Sequence, residues 1–198
     1  MEGLYALKPW FAARLTAVER VLVRRAVSPN LISVVGVVCA GGAGLALAFT
    51  PAPVAAIPVT LLLIARLACA NLDGTVARET QRSTRFGAVL NEAGDRAADL
   101  LVLAGLLPHV PLPLVAGAAL ASSVPSWIAL SGAAAGAPRI NGGPMGKTER
   151  CLVAVLAAAT GWYSTAAVVV LAGSLLTGAL RLSRIAVHCG REPSVDQP

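Results

Sequence analysis

Six stretches of the chain, 31–50, 54–72, 86–107, 113–130, 151–163 and 166–185, are largely apolar and joined by short connections. A hydrocarbon layer ~30 Å thick takes about 20 apolar helical residues to cross, and most of the stretches have that length. The fifth is short and is expected to begin nearer Thr148. Lipid offers a bare backbone no hydrogen-bond partner, so each crossing has to be helical. The pattern predicts an all-α, polytopic membrane bundle of six transmembrane helices. Composition agrees, since only 13% of the 198 residues are charged, against roughly 25% in a soluble domain. That is too little polar sequence to coat a soluble core. Gly41, Gly42, Gly44 and the Ala-rich run 116–121 let helix backbones approach closely.

The basic residues alternate along the chain. Lys8, Arg14, Arg20, Arg24 and Arg25 precede the first stretch. Arg78, Arg82 and Arg85 follow the second, Arg139, Lys147 and Arg150 follow the fourth, and Arg181, Arg184 and Arg191 lie at the end. The connections at 51–53, 108–112 and 162–165 have neither Lys nor Arg. Six crossings with both termini in the cytoplasm account for this alternation, and a bacterial inner (plasma) membrane is the expected location. The net charge of +6 is then a topology signal with some attraction to anionic membrane lipids, and no nucleic-acid partner is expected.

One domain is expected over 1–190. Residues 1–27 alternate apolar and basic residues at helical spacing, with no signal-peptide cleavage site. They read as an amphipathic helix at the cytoplasmic interface with Trp10 and Phe11 at the lipid boundary, or as a helix packed on the bundle; the two are compatible. Ser28, Pro29 and Asn30 break it and start the first crossing. Cys39, Cys69, Cys151 and Cys189 have no paired spacing and predict free thiols and no zinc site. Residues 191–198 read as a disordered tail.

Against this apolar background, "NLDGTVARETQRSTRFGAVLNEAGDRAAD" at 71–99 concentrates charge. An Asp at the centre of a membrane helix costs about 2.5–3.5 kcal/mol on insertion scales, so such residues need a reason. Asn91, Asp95 and Asp99 fall at i, i+4 and i+8, one stripe along a helix. Asp73 ends the second crossing and can face that stripe across a short turn. Carboxylates meeting in a half-wet cavity repel unless a cation lies among them. Oxygen ligands of this kind suit Mg²⁺ or Mn²⁺ with a substrate phosphate completing the shell. The competing explanation is that the acids pair with Arg66, Arg96, Arg181 and Arg184 to hold the bundle.

This stretch resembles the signature of the CDP-alcohol phosphatidyltransferase family, integral membrane enzymes of phospholipid synthesis. The signature is Asp-x-x-Asp-Gly-x-x-Ala-Arg, about eight residues, then Gly-x-x-x-Asp-x-x-x-Asp. Asp73, Gly74, Ala77, Arg78, Gly87 and Asp95 match it, while Ala70 and Asn91 stand at two of the four acidic positions. The six crossings, the amphipathic start and "GPMGK" at 143–147 agree.

The resemblance implies that Asp95 is the catalytic base and that Asp73, Asn91 and Asp95 are metal ligands, with Asp99 a substitute ligand beside them. Asn71 and Glu92 are weaker substitutes. It implies nucleotide contacts at Asp73, Gly74, Ala77, Arg78 and Gly87. The cofactor is Mg²⁺ or Mn²⁺, as one ion or two, because Ala70 has no ligating side chain and Asn91 offers one neutral oxygen. The donor is CDP-diacylglycerol or a related CDP-alcohol, the acceptor a hydroxyl or phosphorylated polyol, and a homodimer is compatible with the small-residue faces. Arg139, Lys147 and Arg150 form a basic cluster suited to an acceptor phosphate, with Arg181 and Arg184 a helical turn apart nearby. "GGPMGK" lacks Walker spacing and predicts no ATP site. The function expected is phosphatidyl-type transfer with release of CMP. The alternatives are a catalytically impaired relative of the same fold that binds lipid, nucleotide or a protein, and a transporter, which the placement of the polar cluster at one end of the crossings disfavours.

Overall fold

A computed structural model describes residues 8–189. Among the described residues the chain forms seven helices and no strand: α1 (Lys8–Arg24), α2 (Pro29–Phe49), α3 (Ala56–Glu79), α4 (Arg85–Ala104), α5 (Leu112–Ala134), α6 (Lys147–Thr160) and α7 (Tyr163–Cys189). Length and hydropathy qualify α2, α3, α5 and α7 as membrane spans, and the chain is an integral membrane protein. The other two expected crossings do not meet that criterion, for different physical reasons. Helix α4 carries five charged residues (Arg85, Glu92, Asp95, Arg96 and Asp99) in 20. Helix α6 has 14 residues, about 21 Å at 1.5 Å per residue. The expected tail, 191–198, lies outside the described residues.

Helix boundaries follow local chemistry. Ser28 is the N-cap of α2 in extended conformation, with Pro29 in the first turn, where its missing N–H and fixed φ cost nothing. Thr84 caps α4 by accepting the Gly87 N–H at 2.9 Å. Gly161 ends α6 in the left-handed conformation, φ 75°.

Helix α2 lies against α3 and α4, α5 lies along α7, and α6 touches α3, α4 and α7. The tightest crossing is that of α2 and α4. A Cβ on Gly44 would collide with the Leu101 carbonyl oxygen, and the same backbone approaches Gly105 from the other side. Ala40, Ala43, Leu47, Val59, Leu63, Val102 and Ala154 fill the core among α2, α3, α4 and α6. Helix α1 docks Leu15, Leu22 and Val23 against Ile32, Leu72 and Val76, so it is packed on the bundle. Trp10 remains 58% exposed beneath the Arg14 guanidinium, 5.1 Å from the ring centre. Val38, Phe49, Ile57, Leu61, Leu120 and Leu176 point outward. An apolar exterior around a core of Ala, Gly and Val is what a bilayer permits and water does not.

Candidate functional site

The signature residues converge. A short turn at 80–84 joins α3 to α4, and both helices pack on α2, which brings Asp73 of α3 within hydrogen-bond distance of Asn91 of α4. Asp73, Gly74 and Arg78 from α3 and Asn91, Glu92 and Asp95 from α4 line one cavity of roughly 870 Å³. Trp10, Phe11 and Glu19 of α1 close one side, and Arg139, Gly142, Lys147, Arg150 and Arg181 the other. Asp73 and Asp95 also share a smaller cleft with Ser33 and Ala70. The second and third hydrophobic segments thus bring their carboxylates to one space.

Asp73 is buried and held from three directions. Its Oδ2 accepts the Ser33 hydroxyl at 2.7 Å and the Asn91 amide at 2.8 Å, and its Oδ1 accepts the Gly74 N–H at 2.6 Å. Asp95 pairs through Oδ2 with the Lys147 ammonium. Glu92 pairs with Arg139 and, at 3.6 Å, with Arg96.

Lys147 is the first residue of α6, and the loop before it is pinned. The Met145 N–H donates to Thr177 Oγ1 at 2.9 Å, Arg181 Nε donates to the Gly142 carbonyl at 3.0 Å, and the Gly146 N–H donates to Glu149 Oε2 at 3.0 Å. Gly143 has φ 123°, and a Cβ there would run into Thr177. Only glycine takes that backbone without strain.

Several residues expected at the site lie elsewhere or are engaged. Asp99, expected as a metal ligand, is one helical turn deeper, outside the large cavity. Its Oδ1 accepts from Arg66 at 2.7 Å and its Oδ2 from Arg150 at 2.6 Å, with Arg96 at 3.4 Å. The competing structural explanation therefore describes Asp99, with Arg150 in place of the expected Arg181 and Arg184. Arg150 lines the cavity but its guanidinium is turned to Asp99 and the Met145 carbonyl. Arg181 donates to the Gly142 and Pro125 carbonyls, so it ties α7 to α5 and to the loop. Ala77 and Gly87 do not line the cavity. Gly87 supplies the capped N–H at the start of α4, where a Cβ would sit 3.4 Å from Asn30 Oδ1. Ser33 was not expected. A single serine in an apolar segment carries almost no sequence signal, and only its hydrogen bond across α2 and α3 identifies it.

The donor set limits how many cations fit. Among the described residues no three His, Cys, Asp or Glu side chains are grouped to hold a metal ion. Ala70 puts a methyl group into the cavity wall where the signature has an acid. Three of the roughly four lone pairs of Asp73 are already used. One lone pair of Asp73 and Oδ1 of Asp95 remain. One or two carboxylates with substrate phosphate and water suffice for a hard divalent ion, so Asp73 and Asp95 fit an ion of that class.

Comparison with known proteins agrees with this geometry. The family model described as CDP-alcohol phosphatidyltransferase matches residues 26–180. The inner membrane protein YnbA of Escherichia coli (strain K12) is 30% identical over 155 residues, 76% of each chain. The phosphatidylinositol phosphate synthase PgsA1 of Mycobacterium tuberculosis, solved in complex with manganese and citrate, superposes with a TM-score of 0.70 at 25% identity over 92% of both chains. The same enzyme with CDP-DAG bound gives a TM-score of 0.68 at 26% identity, over 92% of this chain and 97% of that one.

Proposed function

The chain belongs to the CDP-alcohol phosphatidyltransferase family and is a phosphotransferase of phospholipid synthesis; we propose that it moves a phosphatidyl-type group from a CDP-lipid to a hydroxyl acceptor inside the cavity between α3, α4 and α6. The observation that carries this reading is the meeting of Asp73 and Asp95 in one space rimmed by Arg78, Arg139 and Lys147. The relative with CDP-DAG bound supports the donor class.

The acceptor oxygen attacks the lipid-side phosphorus. As that O–P bond forms, the P–O bond to CMP breaks and its electron pair leaves with CMP. The acceptor proton passes to the Asp95 carboxylate, the general base. Asp73, locked by Ser33, Asn91 and the Gly74 N–H, holds its carboxylate toward the nucleotide. Gly74 leaves room for close approach, and Arg78 faces the pyrophosphate charge. Asp73 and Asp95 would hold a divalent ion, Mg²⁺ or Mn²⁺, which would supply charge neutralisation to the pyrophosphate and to the departing CMP. The manganese in the solved relative supports that class of ion.

On this reading α4 and α6 complete a six-crossing bundle, with Asp95 of α4 and Lys147 of α6 meeting at the cavity, and α1 lies at the interface as one of its walls. Both termini and the cavity then face the cytoplasm. A location in the inner membrane, that of the Escherichia coli relative, fits the same arrangement.

Purified protein in liposomes containing CDP-diacylglycerol and Mn²⁺ is expected to release CMP when a matching acceptor is added. Folded protein that releases none with glycerol phosphate, inositol phosphate or serine overturns the reading. Arg139, half exposed and paired with Glu92, is the cavity residue suited to the phosphate of a phosphorylated acceptor. A charged donor contributes about 1.5–3 kcal/mol to a phosphate hydrogen bond. Arg139→Gln is therefore expected to raise KM for a phosphorylated acceptor by about 10–100-fold. KM for the CDP-lipid should change by less than about threefold. Equal effects on both substrates place Arg139 outside the acceptor site.

A further inference from the structure

The site lacks two of the signature's anions, and one of its cations, Lys147, is paired directly with Asp95. Ala70 and Asn91 remove two carboxylates from the signature positions. At the same place the Asn91 amide turns its N–H toward Asp73, and the Lys147 ammonium sits against Asp95. The site is therefore less negative than the signature implies, and a fixed positive group stands beside one of its two remaining carboxylates. Lys147 does not hang from a mobile loop. It begins α6 after a segment tied down by Thr177, Arg181 and Glu149. Its side chain is 26% exposed, toward the cavity.

On the reading that this cavity takes a CDP-alcohol, we propose that the Lys147 ε-ammonium stands in for a second divalent ion, so that the chain binds its nucleotide with a single metal. A lysine is a compact point charge that suits phosphate oxygens. Fixed beside Asp95, it supplies positive charge without needing the ligands that Ala70 and Asn91 cannot provide. It also explains why those positions tolerate a methyl group and a neutral amide. A second dication here would face Lys147 at close range with only two carboxylates to offset them, and like charges so placed repel.

The test counts ions and nucleotide on the full chain in detergent, with CDP as the probe because CDP carries no acceptor group. Mn²⁺ binding at saturating CDP, followed by electron paramagnetic resonance, is expected to reach one ion per wild-type chain. Lys147→Met is expected to weaken CDP binding about tenfold at saturating Mn²⁺, and Lys147→Arg to keep most of it. In the triple variant Ala70→Asp, Asn91→Asp, Lys147→Met, two ions should bind and CDP affinity should return, now abolished by EDTA. That reversal is not expected of a lysine that only holds an acceptor phosphate or only braces α6. Two tightly bound ions in the wild-type chain, or unchanged CDP affinity in Lys147→Met, overturn the stand-in role while leaving the transferase reading in place. Wild-type protein that binds no CDP with or without Mn²⁺ overturns both. A wild-type count of two ions overturns the role even where a variant fails to fold.

Discussion

Replacing Asp95 with Asn is expected to lower CMP formation by about 10²–10⁴-fold at saturating donor and acceptor, the range associated with loss of a positioned general base. The substitution keeps size and an oxygen able to accept from Lys147, so packing at the α4–α6 contact is retained. What it removes is the ability to take the acceptor's proton. The prediction separates Asp95 from Asp73, whose oxygens face Ser33, Asn91 and the Gly74 N–H and which positions the nucleotide. Kinetics of CMP release under single-turnover conditions, with size-exclusion profiles to establish folding, check it. Activity within about threefold of wild type removes Asp95 from the base role and leaves Glu92 as the other cavity carboxylate on α4.

Much of this site was legible in the sequence because its partners are close along the chain. The i, i+4 spacing of Asn91 and Asp95 and the short turn after α3 already place Asp73 opposite α4. The Asn91–Asp73 hydrogen bond spans 18 positions, and the packing of both helices on α2 brings its partners together. Ser28 and Pro29 mark the start of α2 for reasons local to one helical turn. The partners of the charged residues were less legible. Asp99 lies 33 positions from Arg66 and 51 from Arg150, and Lys147 lies 52 from Asp95. Spacing shows that Asp99 shares a stripe with Asp95, but not that the stripe runs out of the wet cavity and into dry packing within one turn. That depends on where α6 docks, which no neighbouring residue encodes. Similarly, Arg181 resembles a phosphate-facing residue until the α5 and loop carbonyls that occupy it are in place. Charge on α4 hid a further fact. The helix is apolar on its outer turns, as Phe86 and Val89 show, yet its inward charges make its average composition unlike that of a span.

Asp99→Asn is expected to destabilise the folded chain by about 3–5 kcal/mol, the cost of removing one partner from a buried ion pair. Three guanidinium groups, of Arg66, Arg96 and Arg150, surround this one carboxylate. Arg66 is 2% exposed, and the Nε atoms of Arg66 and Arg150 are buried without a hydrogen-bond partner. The cluster is already rich in positive charge, and an amide leaves the buried Arg66 and Arg150 with no anion paired to them. By the scaling for chains of this length the melting temperature in detergent should fall by about 10 °C. Loss of the carboxylate should be partly relieved by removing a cation with it. Asp99→Leu combined with Arg66→Met is expected to recover stability relative to Asp99→Leu alone, because apolar residues fill such a site without desolvation cost. The same variants distinguish the two roles open to Asp99. A metal ligand would lose Mn²⁺ binding on conversion to Asn with the melting temperature intact. A structural anion loses the melting temperature, and the protein that remains folded still binds Mn²⁺ at Asp73 and Asp95. The geometry favours the second outcome, since Asp99 fixes Arg150, Arg150 accounts for the Met145 carbonyl, and the loop so fixed delivers Lys147 to the cavity.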